Sequence, residues 1–331
     1  MPLSLLKRAA RDVCPPLLWR AARRLVLPPP PAAPAPAGRR PGRGVRVVRT
    51  TAELDREIER AERAAERGGD DAYRQEMTEF RFAEMPAPAG DPESPAYHDA
   101  VLAQYRLVSG RDRYDPQLDE QFPFDVERMV VQPFPYCTHS SVTVGEQLIA
   151  IGLLIRALDL PTGARVLEFG AGWGITTLEL ARMGCDVTAV DVNPRYLDLV
   201  RRRAERQGLT VSLAAGDMLG FSSPRPFDRI LFYECFHHCP QPARLLRRLP
   251  GLLADGGMVC FAGEPITDDF PCPWGLRLDG MSALSIRKYG WMELGFRTSY
   301  FMDLLRREGW AARRLPSLDV PHQSAILARR A

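Results

Sequence analysis

The chain has 331 residues, 45% hydrophobic and 26% charged, with a net charge of +3, the profile of one large or two small globular domains. The charge is uneven: residues 1–50 carry +10 and the remainder −7, and an acidic body excludes extended duplex nucleic-acid binding, which needs a basic surface. Seven scattered cysteines without a C-x-x-C pair exclude a disulfide framework and point to a reducing, cytoplasmic setting.

Residues 1–27 alternate apolar Leu5, Leu6, Leu17, Leu18, Trp19 and Leu25 with Lys7, Arg8, Arg11, Arg20, Arg23 and Arg24, interrupted by Pro15 and Pro16. Such a segment is either a solvated basic tail or a peripheral contact to an anionic membrane surface. Arginines running through its apolar part exclude a secretory signal. Seven prolines between Pro28 and Pro41 predict a semi-rigid linker, which closes a first region at residues 1–49. A charged segment follows at 50–96. It opens on a capping-box pattern, Thr50-Thr51-Ala52-Glu53, and its helix is predicted to end at Gly68-Gly69, with a Pro-rich break at Pro86–Pro95. Residues 97–163 predict an N-terminal helical cap, whose last part, Val144–Leu158, is apolar on nearly every side and reads as a buried helix.

From residue 164 to 331, strands and helices alternate. Strands are predicted at Arg165–Phe169, Asp186–Val190, Thr210–Ala214, Asp228–Phe232 and Met258–Ala262, with helices between them, and Trp310–Arg314 and Ser324–Ala328 close the chain as a pair. This pattern predicts an α/β, doubly wound, mostly parallel sheet with helices on both faces and one antiparallel strand.

Val166-Leu167-Glu168-Phe169 runs into Gly170-Ala171-Gly172-Trp173-Gly174, an apolar strand followed by a Gly-x-Gly-x-Gly turn and a helix start. Glycines let a backbone approach a ligand closely, and the helix start offers free N–H groups. A dinucleotide fingerprint would need its third glycine at position 175, which is Ile175. Asp191, at the end of the next strand, either accepts hydrogen bonds from ribose hydroxyls or caps the helix beginning near Pro194. Ala215-Gly216-Asp217-Met218 follows the third strand, and Phe227–His238 spans the fourth strand with the loop beyond it.

In this order the four elements resemble the class I, Rossmann-like S-adenosylmethionine-dependent methyltransferases. The resemblance implies a seven-stranded sheet and S-adenosyl-L-methionine as cofactor. It assigns Glu168, Gly170, Gly172, Gly174 and Asp191 to the cofactor, and sets Asp217 on the adenine amine with Met218 against the ring. The longer pattern, with Phe134-Pro135-Tyr136 and Pro273-Trp274-Gly275-Leu276-Arg277-Leu278-Asp279-Gly280, also resembles a bacterial methyltransferase group associated with glycan-building enzymes.

A hydroxyl acceptor benefits from a general base, and His237 and His238, after the fourth strand, stand where one is needed, with Glu234 as a competing candidate. His139 is a further loop histidine, read as structural. Cys235, His237, His238 and Cys239 sit too close together to wrap one ion, so no metal is expected. Trp274 and Trp291 either stack on a sugar face or fill a core, and Arg277 and Asp279 either bond hydroxyls or pair with each other. The primary expectation is O-methylation of a carbohydrate or glycolipid acceptor. The alternatives are a small aromatic or quinone-like metabolite as acceptor, or a non-catalytic cofactor-binding scaffold. Base-methylating signatures are absent, so nucleic acid is not an expected partner.

Overall fold

A seven-stranded sheet organises the protein, in the order β11-β12-β7-β6-β3-β4-β5. Its strands are β3 (Arg165–Phe169), β4 (Asp186–Asp191), β5 (Ser212–Ala215), β6 (Phe227–Tyr233), β7 (Leu253–Ala262), β11 (Trp310–Leu315) and β12 (Ala325–Arg330). The run from β5 to β7 pairs in parallel, whereas β12 is antiparallel to both β7 and β11, so the sheet is mixed. The computed structural model describes residues 44–132, 141–316 and 324–331. The basic segment 1–27, the Pro-rich linker, Phe134-Pro135-Tyr136 and His139 lie outside that set.

Buried strands read as apolar runs because both faces are covered. Along β6, Ile230 and Phe232 enter one core cluster with α8 (Pro242–Arg248) and α10 (Thr298–Arg307), while Leu231 enters another with α5 (Ser141–Leu158) and α6 (Ile175–Arg182). Helix α7 (Pro194–Arg206) starts on Asn193, whose side chain accepts the Arg195 N–H, and buries Tyr196, Leu199, Val200 and Ala204. Gly174, at φ 73°, opens α6 where an added Cβ would stand 2.5 Å from Val200 Cγ2, so the close approach of α6 and α7 needs glycine there.

The charged helix breaks at Gly68-Gly69 as the sequence predicts: Gly69 is non-helical (φ 70°, ψ −160°), and a second helical piece follows it, the two together numbered α1 (Thr51–Thr78). Leu54, Ile58 and Ala61 before the break and Met77 after it are buried in the main core. The docking partner of α1 is α9 (Gly280–Tyr289): Arg287 bonds both oxygens of Asp55 at 2.7 and 2.9 Å, and Lys288 meets Glu62 at 2.5 Å. Val45–Ala331, α1 included, is one compact unit. One sequence expectation is corrected: α5 is not buried all round. Ala150, Ile151, Leu154 and Leu158 are buried, but Val142, Leu148 and Ile149 are exposed. With 18 residues it is long and apolar enough to cross a membrane by composition, yet it carries Glu146 and Arg156 and packs one face on β7 and β12.

Before β3 the chain forms the helices α2 (Pro95–Ser109), α3 (Pro116–Asp119), α4 (Val126–Val131) and α5. This segment is latched to the loop after β4, where Gln121 donates to the Val192 carbonyl and Asn193 to that of Phe122. A small sheet escaped the sequence reading: β10 (Leu294–Arg297) pairs with β8 (Ile266–Thr267) and β9 (Trp274–Leu276) and carries the chain back over the carboxyl end of β7. Strands β1 (Arg46–Val48) and β2 (Phe80–Phe82) form a separate parallel pair.

Candidate active site

The order of strands reverses between β3 and β6, and ligands of open α/β sheets bind outside the carboxyl ends at such a switch point. The Gly170–Gly174 turn and the loop from Glu234 to Cys239 both open there, into a cavity of about 2290 Å³.

Asp191 ends β4 and is buried. Its Oδ2 accepts the Gly172 N–H at 2.9 Å and its Oδ1 the Asn193 N–H at 2.8 Å. Each oxygen thus keeps a lone pair for a ligand, and the capping role belongs to Asn193 instead. Burial pushes the Asp191 carboxyl up to about 6 against the pull of those two N–H groups. Glu168 is buried beneath the turn and accepts the Thr177 hydroxyl at 2.5 Å; burial pushes it up to about 8. Gly172 has φ 47°, and an added Cβ would meet only the Gly170 carbonyl, at 3.9 Å, so the backbone faces open space. Asp217 Oδ1 accepts the Leu219 and Gly220 N–H groups, both at 2.7 Å, which makes a local turn, and Met218 lines the cavity beside it. These features fit a nucleoside: carboxylates with spare lone pairs, a glycine turn whose backbone is open at Gly172 and an apolar thioether. Phe122, Phe124, Trp173 and Tyr196 close one end as an aromatic cluster, with ring centroids 5.0–6.1 Å apart.

On the other side of the switch point stand the candidate bases. Glu234 takes φ 52°, a left-handed conformation that glutamate rarely adopts and that clusters at functional sites. His237 is buried, and its Nδ1 lies 2.7 Å from Glu264 Oε2. Glu264 also receives the backbone N–H groups of Cys235, Phe236 and His237. Burial alone would raise this carboxyl, but the His237 ring and those N–H groups bring it below its ordinary value, so it is ionised. An ionised carboxylate only accepts, so His237 Nδ1 is the donor in this contact. Nε2 in turn lies 3.7 Å from Glu293 Oε2, which Arg277 approaches at 3.3 Å. His238 Nδ1 is 3.4 Å from Glu120 Oε2; burial works against its charge, but Glu120, Glu293 and Glu264 raise it to about 9. Donor atoms of His237, His238 and Glu293 lie within 4.8 Å of one another, a spacing that one ion could bridge.

Sequence reading missed Glu120, Glu264 and Glu293, because the fold gathers them from the cap, the end of β7 and the approach to β10. Trp274, read as a possible sugar platform, is 1% exposed and donates its indole N–H to the Pro92 carbonyl in the core. Arg277 and Asp279 pair with each other at 3.2 Å. Cys235 and Cys239 are buried thiols pushed up by desolvation, and Cys235 donates to the Phe169 carbonyl.

Residues 166–257 match the family model described as a methyltransferase domain. The stretch contains every candidate cofactor residue and both histidines. The chain is 37% identical over 101 residues to the ubiquinone biosynthesis O-methyltransferase of Xylella fastidiosa (strain 9a5c), covering 30% of this chain and 41% of that protein. It is 37% identical over 116 residues to the magnesium-protoporphyrin O-methyltransferase of Rhodobacter capsulatus (33% and 50%). To the protein-L-isoaspartate O-methyltransferase of Methylorubrum extorquens (strain PA1) it is 45% identical over 140 residues (40% and 54%). The chain therefore spans about half, or less, of the length of these relatives. It carries an S-adenosylmethionine-dependent methyltransferase domain with an α/β fold.

Proposed function

We propose that the protein is an O-methyltransferase whose acceptor is a small hydroxylated aromatic or quinone-like molecule, with His237 as the base. S-adenosylmethionine supplies a methyl group already activated on a sulfonium centre. Asp191 would hold the ribose hydroxyls, Asp217 and Met218 the adenine, and the Gly170–Gly174 turn and Glu168 the remainder. The observation that carries the reading is the Glu264–His237 contact at 2.7 Å, beside that cofactor cradle in one cavity. It supports a role in which Nδ1 donates to Glu264 while Nε2 takes the hydroxyl proton, and the resulting imidazolium would be stabilised by Glu264 on one side and Glu293 on the other. His238 is held protonated by Glu120 at neutral pH, which suits a donor and not a base. Glu234 remains the alternative base.

This acceptor class is preferred to the carbohydrate or glycolipid expected from the histidines, the aromatic-polar segment between Glu264 and Gly295 and the basic tail. Trp274 is committed to the core and Arg277 to Glu293 and Asp279. The exposed wall is instead aromatic: Phe122, Tyr289 and Trp291 line the cavity, with centroids 5.0 Å (Phe122–Tyr289) and 5.4 Å (Tyr289–Trp291) apart. Two of the three relatives are named for ubiquinone biosynthesis and for magnesium-protoporphyrin. Contact of residues 1–27 with a membrane surface belongs to the same proposal.

The test is methyl transfer from labelled S-adenosylmethionine to a panel of hydroxylated aromatics, quinols and sugars, read by mass spectrometry. His237→Ala should lower turnover by about 10²–10⁴-fold and leave cofactor affinity unchanged. Transfer to sugars alone, or full turnover by the variant, overturns the reading.

A further inference from the structure

His237, His238 and Glu293 bring two imidazoles and a carboxylate together on the cavity wall, with donor atoms within 4.8 Å of one another. Two ligands of one tetrahedral zinc ion, each about 2.0–2.2 Å from it, stand about 3.4 Å apart. His237 Nε2 and Glu293 Oε2 are already 3.7 Å apart. The widest pair, at no more than 4.8 Å, needs to close by no more than about 1.4 Å. His237 and Glu293 are buried, and His238 Nδ1 is a buried atom without a hydrogen bond among the described residues, although Glu120 Oε2 lies 3.4 Å away. A buried polar atom left without a partner is costly, so this nitrogen calls for one.

The surrounding contacts are those a metal ligand needs. A histidine that binds a metal ordinarily donates its second ring N–H to a carboxylate, which fixes the ring. His237 Nδ1 donates in this way to Glu264 at 2.7 Å, and Glu264 is held by three backbone N–H groups. Glu293 is fixed through its backbone, whose carbonyl accepts the Arg277 N–H at 2.9 Å. The Arg277 side chain also pairs with Asp279 at 3.2 Å, so it keeps a partner when Glu293 turns to an ion. Charge points the same way. Glu120, Glu264 and Glu293 face the two imidazoles and one guanidinium, so with neutral imidazoles two negative charges remain, which one divalent ion cancels. Two nitrogens and one oxygen suit zinc, whereas Mg²⁺ prefers oxygen ligands.

The geometry points to a Zn²⁺ site formed by His237, His238 and Glu293, at which zinc shuts off transfer because the ion and the acceptor's proton compete for His237 Nε2. This rests on the proposed role of His237 as base and adds a regulation of that same site. The ion takes the place of the proton that His238 holds against Glu120, and that proton leaves to solvent. No metal is expected from Cys235, His237, His238 and Cys239, which crowd one short loop; Glu293 removes that objection because it arrives from a distant segment. Cys235 stays out of the site, its thiol donating to the Phe169 carbonyl.

The experiment is calorimetric titration of the full, EDTA-stripped chain with Zn²⁺ alone, and with Mg²⁺ as the control. About one zinc ion per chain should bind, and Mg²⁺ should give no comparable heat. Loss of an outer partner of a metal ligand costs about 10–100-fold in affinity, so loss of a ligand in Glu293→Gln or His238→Asn should weaken zinc binding by at least about tenfold. Co²⁺ reports the ligands in the native protein without any substitution: a tetrahedral nitrogen–oxygen site gives visible d–d bands and no thiolate charge-transfer band. No binding, a thiolate band, or undiminished affinity in both variants overturns the inference. Methyl transfer to the hydroxylated panel should fall at least about tenfold on saturation with Zn²⁺ and return with EDTA, at unchanged cofactor affinity. Transfer that zinc leaves unchanged or raises also overturns it. Zinc binding by a chain that transfers no methyl group when metal-free sinks the transferase reading and leaves the zinc site standing, and transfer without zinc binding sinks the inference alone.

Discussion

Asp191 and Glu168 show how burial sets the behaviour of single residues. Their carboxyls stand at about 6 and about 8, each above its ordinary value. A raised folded-state value means that the neutral form is favoured by folding. The associated stability is therefore complete at acid pH below the ordinary carboxyl range and is lost as pH rises through about 6 for Asp191 and about 8 for Glu168. The unliganded protein should melt at a lower temperature at about pH 8.5 than at about pH 5.5. Glu168→Gln, which keeps an oxygen for Thr177, should flatten the upper part of that fall; a thermal-shift series against pH measures it, and an unchanged slope would detach the effect from Glu168. Cofactor affinity should follow the opposite course, because ribose hydroxyls need an ionised Asp191. It should weaken below about pH 6, and Asp191→Ala should cost about 1.5–3 kcal/mol of binding by calorimetry while leaving the fold intact. Unchanged affinity in that variant would remove Asp191 from the cofactor site.

At the scale of elements, the parts legible in the sequence are those governed by local pattern. The alternation of strands and helices from Arg165 to Arg330 follows apolar runs, and the Gly-x-Gly-x-Gly turn, Asp191 and the paired histidines fall at strand ends, where a one-dimensional reading can place them. What escaped depends on contacts between distant segments. Glu120, Glu264 and Glu293 meet at His237 and His238 from three elements, and no spacing announces that meeting. The break at Gly68-Gly69 was legible as well, because glycine is costly inside a helix and Gly69 leaves the helical region. The contact between α1 and α9 makes a prediction. A Cβ on Gly280 would stand 2.2 Å from the Met77 carbonyl oxygen and 2.7 Å from that of Phe80, and backbone cannot give way as a side chain does. Gly280→Ala should therefore destabilise by about 1–3 kcal/mol in denaturant titration, the usual cost of overpacking. It should also raise KM for the acceptor, since α9 carries Tyr289 to the cavity wall. Native stability in this variant would mean that α9 is free to shift against α1.

At the scale of the whole molecule, the chain divides into a basic segment and the unit Val45–Ala331. Residues 1–44 carry +8 and residues 45–331 −5, so the two parts have opposite preferences for an anionic surface. If residues 1–27 are the membrane contact, attraction to anionic lipid is electrostatic, and it should weaken as the screening length shrinks from about 10 Å at 0.1 M salt to about 3 Å at 1 M. The full chain should sediment with vesicles of phosphatidylcholine containing phosphatidylglycerol, and should be released by salt and by omission of the anionic lipid. A chain lacking residues 1–43 should keep the native melting temperature and cofactor affinity, because every described core residue lies beyond position 44, and it should stay in the supernatant. The competing anchor is the exposed apolar side of α5, where Val142, Leu148 and Ile149 are 68%, 60% and 43% exposed. Contact through that face would be apolar, insensitive to salt and retained after truncation. Salt-resistant sedimentation of the truncated chain would therefore move the membrane contact from the basic segment to α5. No sedimentation of the full chain at low salt would remove it altogether.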